Sequence, residues 1–541
     1  MKTKLLYLFL FISFFGYSQE DAWIYFNDKP NATFYLNNPL QMLSQRALDR
    51  RIAQNIALDF KDVPLHQPYI DQITASIGIQ VKAKSKWLNC LHIRGSQTDI
   101  SALISLPFVN HISFANRTIM QLGRYSTVTH SGIKSIENAA LTTFNYGTSS
   151  NQIQMMNGHL LHQQNFTGTG KVIAVLDAGF PGVNTLLPFQ RLRDNNLILG
   201  GYNFVDKTTN FYSRNGHGTA VLSDMGGFVN NQLIGTAPDA KYYLYITEDT
   251  GSENPVEESN WVEAAEMADY VGADIITSSL GYFDYDNPNY SYLYDDMTGN
   301  KAFASKGVNI AFSKGIVVVV SAGNSGGSAD PHIGVPADAT FALTVGAVRA
   351  NRTKADFSSI GPSFDNRIKP DVMAQGEASI ISSASGSITT ANGTSFSCPI
   401  MAGMIASFWQ AIPWATNAQV VQFVKQASDN YATPNANYGY GIPNFQTALS
   451  LAVLLNVSQV LPSQNEFSFA PNPVSNELEL KFSESYLNNY FEVYNNLGQL
   501  VLSKQNVKNN QNIDVSTLTS GLYFYKFSSS EITDSGKLLK K

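Results

Sequence analysis

The chain has 541 residues, 44% of them hydrophobic and 14% charged, with a formal net charge of −6 at pH 7. That length exceeds what one core can serve and implies about three folded units. The composition excludes a disordered or fibrous chain, and the acidic balance leaves no basic footprint for nucleic acid.

Residues 1–18 read as a secretory signal. Lys2 and Lys4 give a charged start, Leu5 to Phe15 an apolar run too short to span a bilayer, and Gly16-Tyr17-Ser18 ends it with small residues where a signal peptidase inspects the chain. The alternative is a buried N-terminal helix. Residues 19–116 have the texture of a small α+β unit. Trp23 to Phe26, Ile79 to Ile93 and Val109 to Phe114 are rich in β-formers, and Gln41 to Ile52 is a basic helical stretch. Asp99 to Leu106 looks like a second helix capped by its own aspartate and stopped near Pro107. Residues 117–151 are polar and without strong periodicity, the kind of linker where a processing cut is expected.

From 152 to 455 short apolar runs alternate with helical patterns. Val172 to Leu176, Tyr242 to Ile246, Asp274 to Thr277, Ile316 to Val320 and Phe341 to Val345 are apolar on consecutive residues, which suits strands covered on both faces. Trp261, Ala264, Ala265, Ala268 and Val271 recur at helical spacing. Strand, helix, strand repeated in this way predicts a parallel sheet with helices on both sides, its chemistry gathered at the carboxyl ends of the strands. Nothing after the first residues is long and apolar enough to span a membrane. In 464–541 the period becomes two: Leu478, Leu480 and Phe482 alternate with Glu477, Glu479 and Lys481, and Leu522 to Phe527 forms another β-rich run. A small antiparallel sandwich is expected there.

Three glycine-flanked motifs carry the chemistry: Asp177 in V-I-A-V-L-D-A-G, His217 in N-G-H-G-T and Ser395 in G-T-S-F-S-C-P. A serine hydroxyl becomes a nucleophile when a histidine takes its proton, and that histidine needs a carboxylate to fix its tautomer. The order Asp, His, Ser differs from those of chymotrypsin and of the α/β-hydrolases. At these residues the chain resembles a subtilisin-family serine endopeptidase. The resemblance implies a catalytic relay of Asp177, His217 and Ser395, with Asn324 of S-A-G-N as oxyanion donor. It also implies Ser279, Leu280 and Gly281 as the strand that pairs with substrate. Gly393 would let the substrate backbone approach. Two departures stand out. Ala220 and Ala178 occupy positions where the family often has histidine and a hydroxyl residue, respectively.

Cys90 and Cys398 are the two cysteines. If the N-terminal part is cut away they cannot bridge the rest, so burial and not disulfides must stabilise the protein. Cys398 reads as a small buried hydrophobe under the active site. No metal-ligand spacing appears, so no catalytic metal or required cofactor is expected. Structural calcium, as in many relatives, is compatible with the oxygen-rich loops but has no site fixed by pattern. Residues 19–116 resemble the inhibitory propeptide of such proteases, with an accessory domain as the alternative. At Pro471-Asn472-Pro473, Leu497-Gly498-Gln499 and Ser520-Gly521-Leu522-Tyr523 the tail resembles C-terminal sorting domains of Bacteroidetes proteins exported by type IX secretion. Lys537, Lys540 and Lys541 form the basic end typical of those tails. A carbohydrate-binding or adhesive module is the other reading of the tail. The expectation is therefore a secreted or cell-surface endopeptidase acting on proteins or peptides, with its own propeptide as inhibitor. The competing reading, a catalytically dead binding or adhesive scaffold, would be expected to have lost one of the four site residues.

Overall fold

The computed structural model describes residues 19–119, 144–459, 467–495 and 499–541. The expected signal segment, most of the linker and Leu497-Gly498 of the tail motif lie outside the described residues. The chain divides into two compact units, the first reaching Leu449 and the second running from Ser450 to Lys541.

The first unit opens with an antiparallel sheet of β1 (Gln19–Phe26), β2 (Gln80–Ser85), β3 (Cys90–Ser96) and β4 (Val109–Phe114), in the order β2-β3-β1-β4. The single β-rich run expected from Ile79 to Ile93 is a hairpin, β2 and β3 being joined through Asn89 in the left-handed conformation (φ 54°). Among the helices that accompany it are α1 (Gln45–Ala53), α2 (Gln67–Thr74) and α3 (Gln97–Ala102). Asp99 does not cap α3. Ser96 does, its side chain accepting the Asp99 N–H, while Asp99 sits in the first turn, where a negative charge suits the helix dipole.

The same unit holds a seven-stranded parallel sheet: β5 (Val172–Asp177), β6 (Ile198–Asn203), β7 (Lys241–Ile246), β8 (Ile275–Ser278), β9 (Val317–Ser321), β10 (Leu343–Val348) and β11 (Val372–Gln375), in the order β11-β10-β9-β8-β5-β7-β6. The four that matter most here are α4 (His217–Gly226), α5 (Val256–Val271), α6 (Phe303–Ser313) and α7 (Thr394–Ala411). Alternate residues on β8 separate the two faces of the sheet. Ser278 accepts the Trp261 indole N–H of α5 at 2.9 Å, whereas Thr277 meets Cys398 of α7 at 3.5 Å. After β7 the chain crosses β5 to start β8, so the order reverses between β5 and β8. In open parallel sheets the crevice at such a reversal binds ligands.

The N-terminal sheet packs on α5 and α6. Trp23 donates its indole N–H to Ser259 at 2.8 Å and stacks on Phe303 at 5.0 Å. Glu266 accepts from Ser85 Oγ, the Lys86 N–H and the Trp87 N–H at 2.6–3.0 Å. Arg50 and Arg51 both pair with buried Asp269. Residues 144–154 lie against the parallel-sheet body, Gln152 bridging Asp224 and the Ile380 main chain.

The second unit holds two antiparallel sheets. One has β12 (Phe467–Ala470), β13 (Glu477–Phe482) and β16 (Asn512–Asp514). The other has β14 (Tyr490–Tyr494), β15 (Leu500–Gln505), β17 (Gly521–Ser528) and β18 (Thr533–Lys540). Leu478, Leu480 and Phe482 point inward as the alternation predicts, and Phe467 of the first sheet stacks on Phe527 of the second at 4.1 Å. The two sheets thus share one core.

Candidate active site

Asp177 is the last residue of β5 and is fully buried. Its Oδ1 accepts from His217 Nδ1 at 2.7 Å and from the Ala178 N–H at 2.7 Å. A carboxylate can only accept, so His217 carries its proton on Nδ1 and offers Nε2 as a base. The Asp177 charge outweighs burial and raises the proton affinity of His217 above the ordinary histidine value. The other carboxylate oxygen is buried with no hydrogen-bond partner among the described residues, and Ala178, without a hydroxyl, supplies none. His217 opens α4, and the helix can approach β5 because residue 218 is glycine. A Cβ there would stand 2.5 Å from the Gly179 carbonyl oxygen and 2.9 Å from Asp177 Cβ. Ala220 packs with Ile381 and Phe396, the residue after Ser395.

Ser395 is the second residue of α7, where main-chain N–H groups and the helix dipole favour negative charge. Pro399 lies four residues on and cannot donate to the Ser395 carbonyl. Ser279 Oγ does so instead, at 2.9 Å, which ties the end of β8 to the start of α7. Ser395 Oγ has its own long contact, 3.5 Å, to the Ser279 carbonyl. No hydrogen bond joins it to His217 among the described residues. Such bonds often tighten only when substrate binds.

Asn324 follows Gly323, whose φ of 101° suits a residue without a side chain. Its Oδ1 accepts from the Thr394 N–H at 2.9 Å and the Thr394 hydroxyl at 3.0 Å. An N–H can only donate, so the amide orientation is fixed and Nδ2 is left free to donate toward the space beside Ser395. Thr394 is the site residue that sequence reasoning passed over, although it stands in the G-T-S motif. Leu280 and Gly281 extend β8 beside Ser395, and Tyr282 then bonds across to Val335 in both directions. Cys398 is fully buried, and burial pushes its thiol up to about 12, so it remains a protonated apolar filler.

Among the described residues, Glu248, Glu253 and Glu257 form a carboxylate group that could hold a cation. Glu257 already accepts the Asp249 and Asn254 N–H groups, and burial pushes its carboxyl up to about 7.

Comparison with known proteins matches residues 168–441 to the model described as "Subtilase family". The chain belongs to the subtilase family. Residues 21–131 match the subtilase propeptide domain of Bacteroidota, and residues 468–541 the secretion-system C-terminal sorting domain. Similar proteins include Subtilisin NAT of Bacillus subtilis subsp. natto, 31% identical over 301 residues that make up 55% of this chain and 70% of that one. Subtilisin DY of Bacillus licheniformis is 29% identical over 299 residues, 55% of this chain and 97% of its own. This subtilase is accordingly a serine peptidase, a hydrolase with a propeptide and a type IX sorting tail. The tail marks it for export to the outer membrane or cell surface. No helix among the described residues is long and apolar enough to cross a membrane.

Proposed function

We propose that the protein is a secreted endopeptidase that cleaves peptide bonds through an acyl-enzyme on Ser395. The observation that carries this reading is the 2.7 Å contact from His217 Nδ1 to buried Asp177, set beside a serine at a helix N-terminus. His217 Nε2 takes the Ser395 hydroxyl proton as Oγ attacks the peptide carbonyl carbon. The carbonyl oxygen gains negative charge and receives hydrogen bonds from Asn324 Nδ2 and the Ser395 N–H. The imidazolium, stabilised by Asp177, then protonates the leaving nitrogen as the C–N bond breaks. Water, deprotonated by the same histidine, hydrolyses the ester and frees Ser395. Substrate main chain would pair along Ser279–Gly281.

The N-terminal unit fits an inhibitory propeptide, removed by a cut between Asn116 and Asn151, and the last 78 or so residues fit an export signal dispensable for catalysis. Ser395→Ala in purified mature protein is expected to lower peptide hydrolysis by about a million-fold, whereas a chelator should leave the chemical step in place. Substantial hydrolysis by Ser395→Ala would remove the assignment of Ser395 as nucleophile, and no hydrolysis by the intact mature protein would favour the binding-scaffold reading.

A further inference from the structure

Beside Ser395 and Asn324 a cavity of about 240 Å³ opens into the body of the protein, far more than the ~10–15 Å³ that one water needs. Leu280, Phe283, Val335 and Ala337 give it apolar walls. Among the lining residues there is one carboxylate, Asp330, and no lysine or arginine. Asp330 is not adrift. Its Oδ1 bonds His332 Nδ1 at 2.6 Å, and the His332 ring stacks on Tyr294 with centroids 3.9 Å apart. Tyr294 is itself held, its hydroxyl donating to the Pro362 carbonyl at 2.8 Å and its ring meeting the edge of Phe364. The second oxygen of Asp330 has no partner among the described residues, and the side chain is about half exposed (47%).

We propose that Asp330, positioned by His332 and Tyr294, makes this pocket select a basic side chain, lysine or arginine, on the residue before the scissile bond. The inference rests on the reading of Ser395 as nucleophile and extends it to a substrate class. An aliphatic stem can lie along Leu280, Phe283 and Val335 while its cationic head reaches the free carboxylate oxygen. A glutamate in the same place would meet like charge and lack a donor, so the pocket also rejects acidic residues. His332 and Tyr294 are positioning residues: they fix the direction of Asp330 and touch no reacting atom.

The test uses mature enzyme and quenched peptides identical except for Arg, Lys, Leu, Phe or Glu before the cleaved bond, assayed at about pH 8, where an ordinary histidine is neutral. Active sites are counted beforehand with a fluorophosphonate, so each rate refers to functional enzyme. The expected kcat/KM for Arg and Lys exceeds that for Leu by about tenfold, the size of one charged hydrogen bond, and Glu is cleaved slowest. Asp330→Asn, isosteric and half exposed, should erase the basic advantage, read as the Arg-to-Leu ratio of kcat/KM. Tyr294→Ala should reduce the advantage and Tyr294→Phe, which keeps the stacking, should retain it. A wild-type preference for Leu or Phe, or an unchanged Arg-to-Leu ratio in Asp330→Asn, overturns the proposal while leaving Ser395 as nucleophile. No cleavage and no fluorophosphonate uptake would instead defeat the nucleophile reading, and the selectivity proposal with it.

Discussion

In the proposed relay Asp177 has to be both charged and dry to serve His217, and the end of a central parallel strand supplies a buried position for it. Its charge holds His217 above the ordinary value of 6.5. The acidic limb of kcat/KM reports that histidine in the free enzyme and is therefore expected above pH 6.5, because imidazolium cannot accept the Ser395 proton. A pH–rate profile of Asp177→Asn should show the limb moved downward, with kcat lower by roughly 10⁴. Asn324→Leu removes the donor proposed to act on the oxyanion and not on the ground state. Its kcat should fall roughly 100- to 1000-fold with KM little changed, the effect known for a subtilisin oxyanion asparagine. These residues stood out as candidates in the sequence because the role proposed for each demands one residue type among glycines in a short motif. Asp330, His332 and Tyr294 could not. Tyr294 reaches His332 through tertiary packing, and no local spacing encodes that contact.

At the scale of elements, consecutive apolar runs marked β5, β7, β8, β9 and β10 because both faces of those strands are covered. The edge strand β6 escaped that reading: Gly200 and Gly201 interrupt it and most of it is half-buried. Strand β11 has only four residues, too short for a pattern. The Ser279 bond to the Ser395 carbonyl shows how a helix-breaking residue, Pro399, is accommodated within α7 by a neighbouring element. The cover that the N-terminal sheet places on α5 has a pH dependence. Burial pushes the Glu266 carboxyl from 4.5 up to about 7 in the assembled unit. A carboxyl raised on association contributes stability that is complete below 4.5 and lost as pH rises through about 7. Inhibition of mature enzyme by the separate N-terminal segment is therefore expected to weaken from about pH 5 to about pH 8, and Glu266→Gln should flatten that dependence. Inhibition measured across that range checks both. An equal slope in the variant would assign the dependence to other groups.

For the whole molecule, the strict alternation from about residue 464 matches C-terminal strands that lie in antiparallel sheets, whereas the structure divides the chain earlier, at Leu449. Sequence did not foretell that the N-terminal sheet and the parallel sheet would share one compact unit. Their joint is built from long-range pairs such as Trp23 with Ser259 and Arg51 with Asp269. The second unit supplies none of the site residues. Deleting 464–541 should leave peptide hydrolysis by folded, matured enzyme intact, while abolishing its appearance outside a type IX-competent host. Fractionation of such cells, with activity assayed in each fraction, reads both outcomes. Normal external levels of the tail-less enzyme would contradict the export role.

The most direct test of the central claim is to treat mature protein with a fluorophosphonate and locate the adduct by peptide mass mapping. The account predicts one adduct per chain, on Ser395, with loss of hydrolysis proportional to labelling and no labelling of the Ser395→Ala variant. Full inactivation with the adduct on another residue, or full labelling of Ser395→Ala, would contradict it.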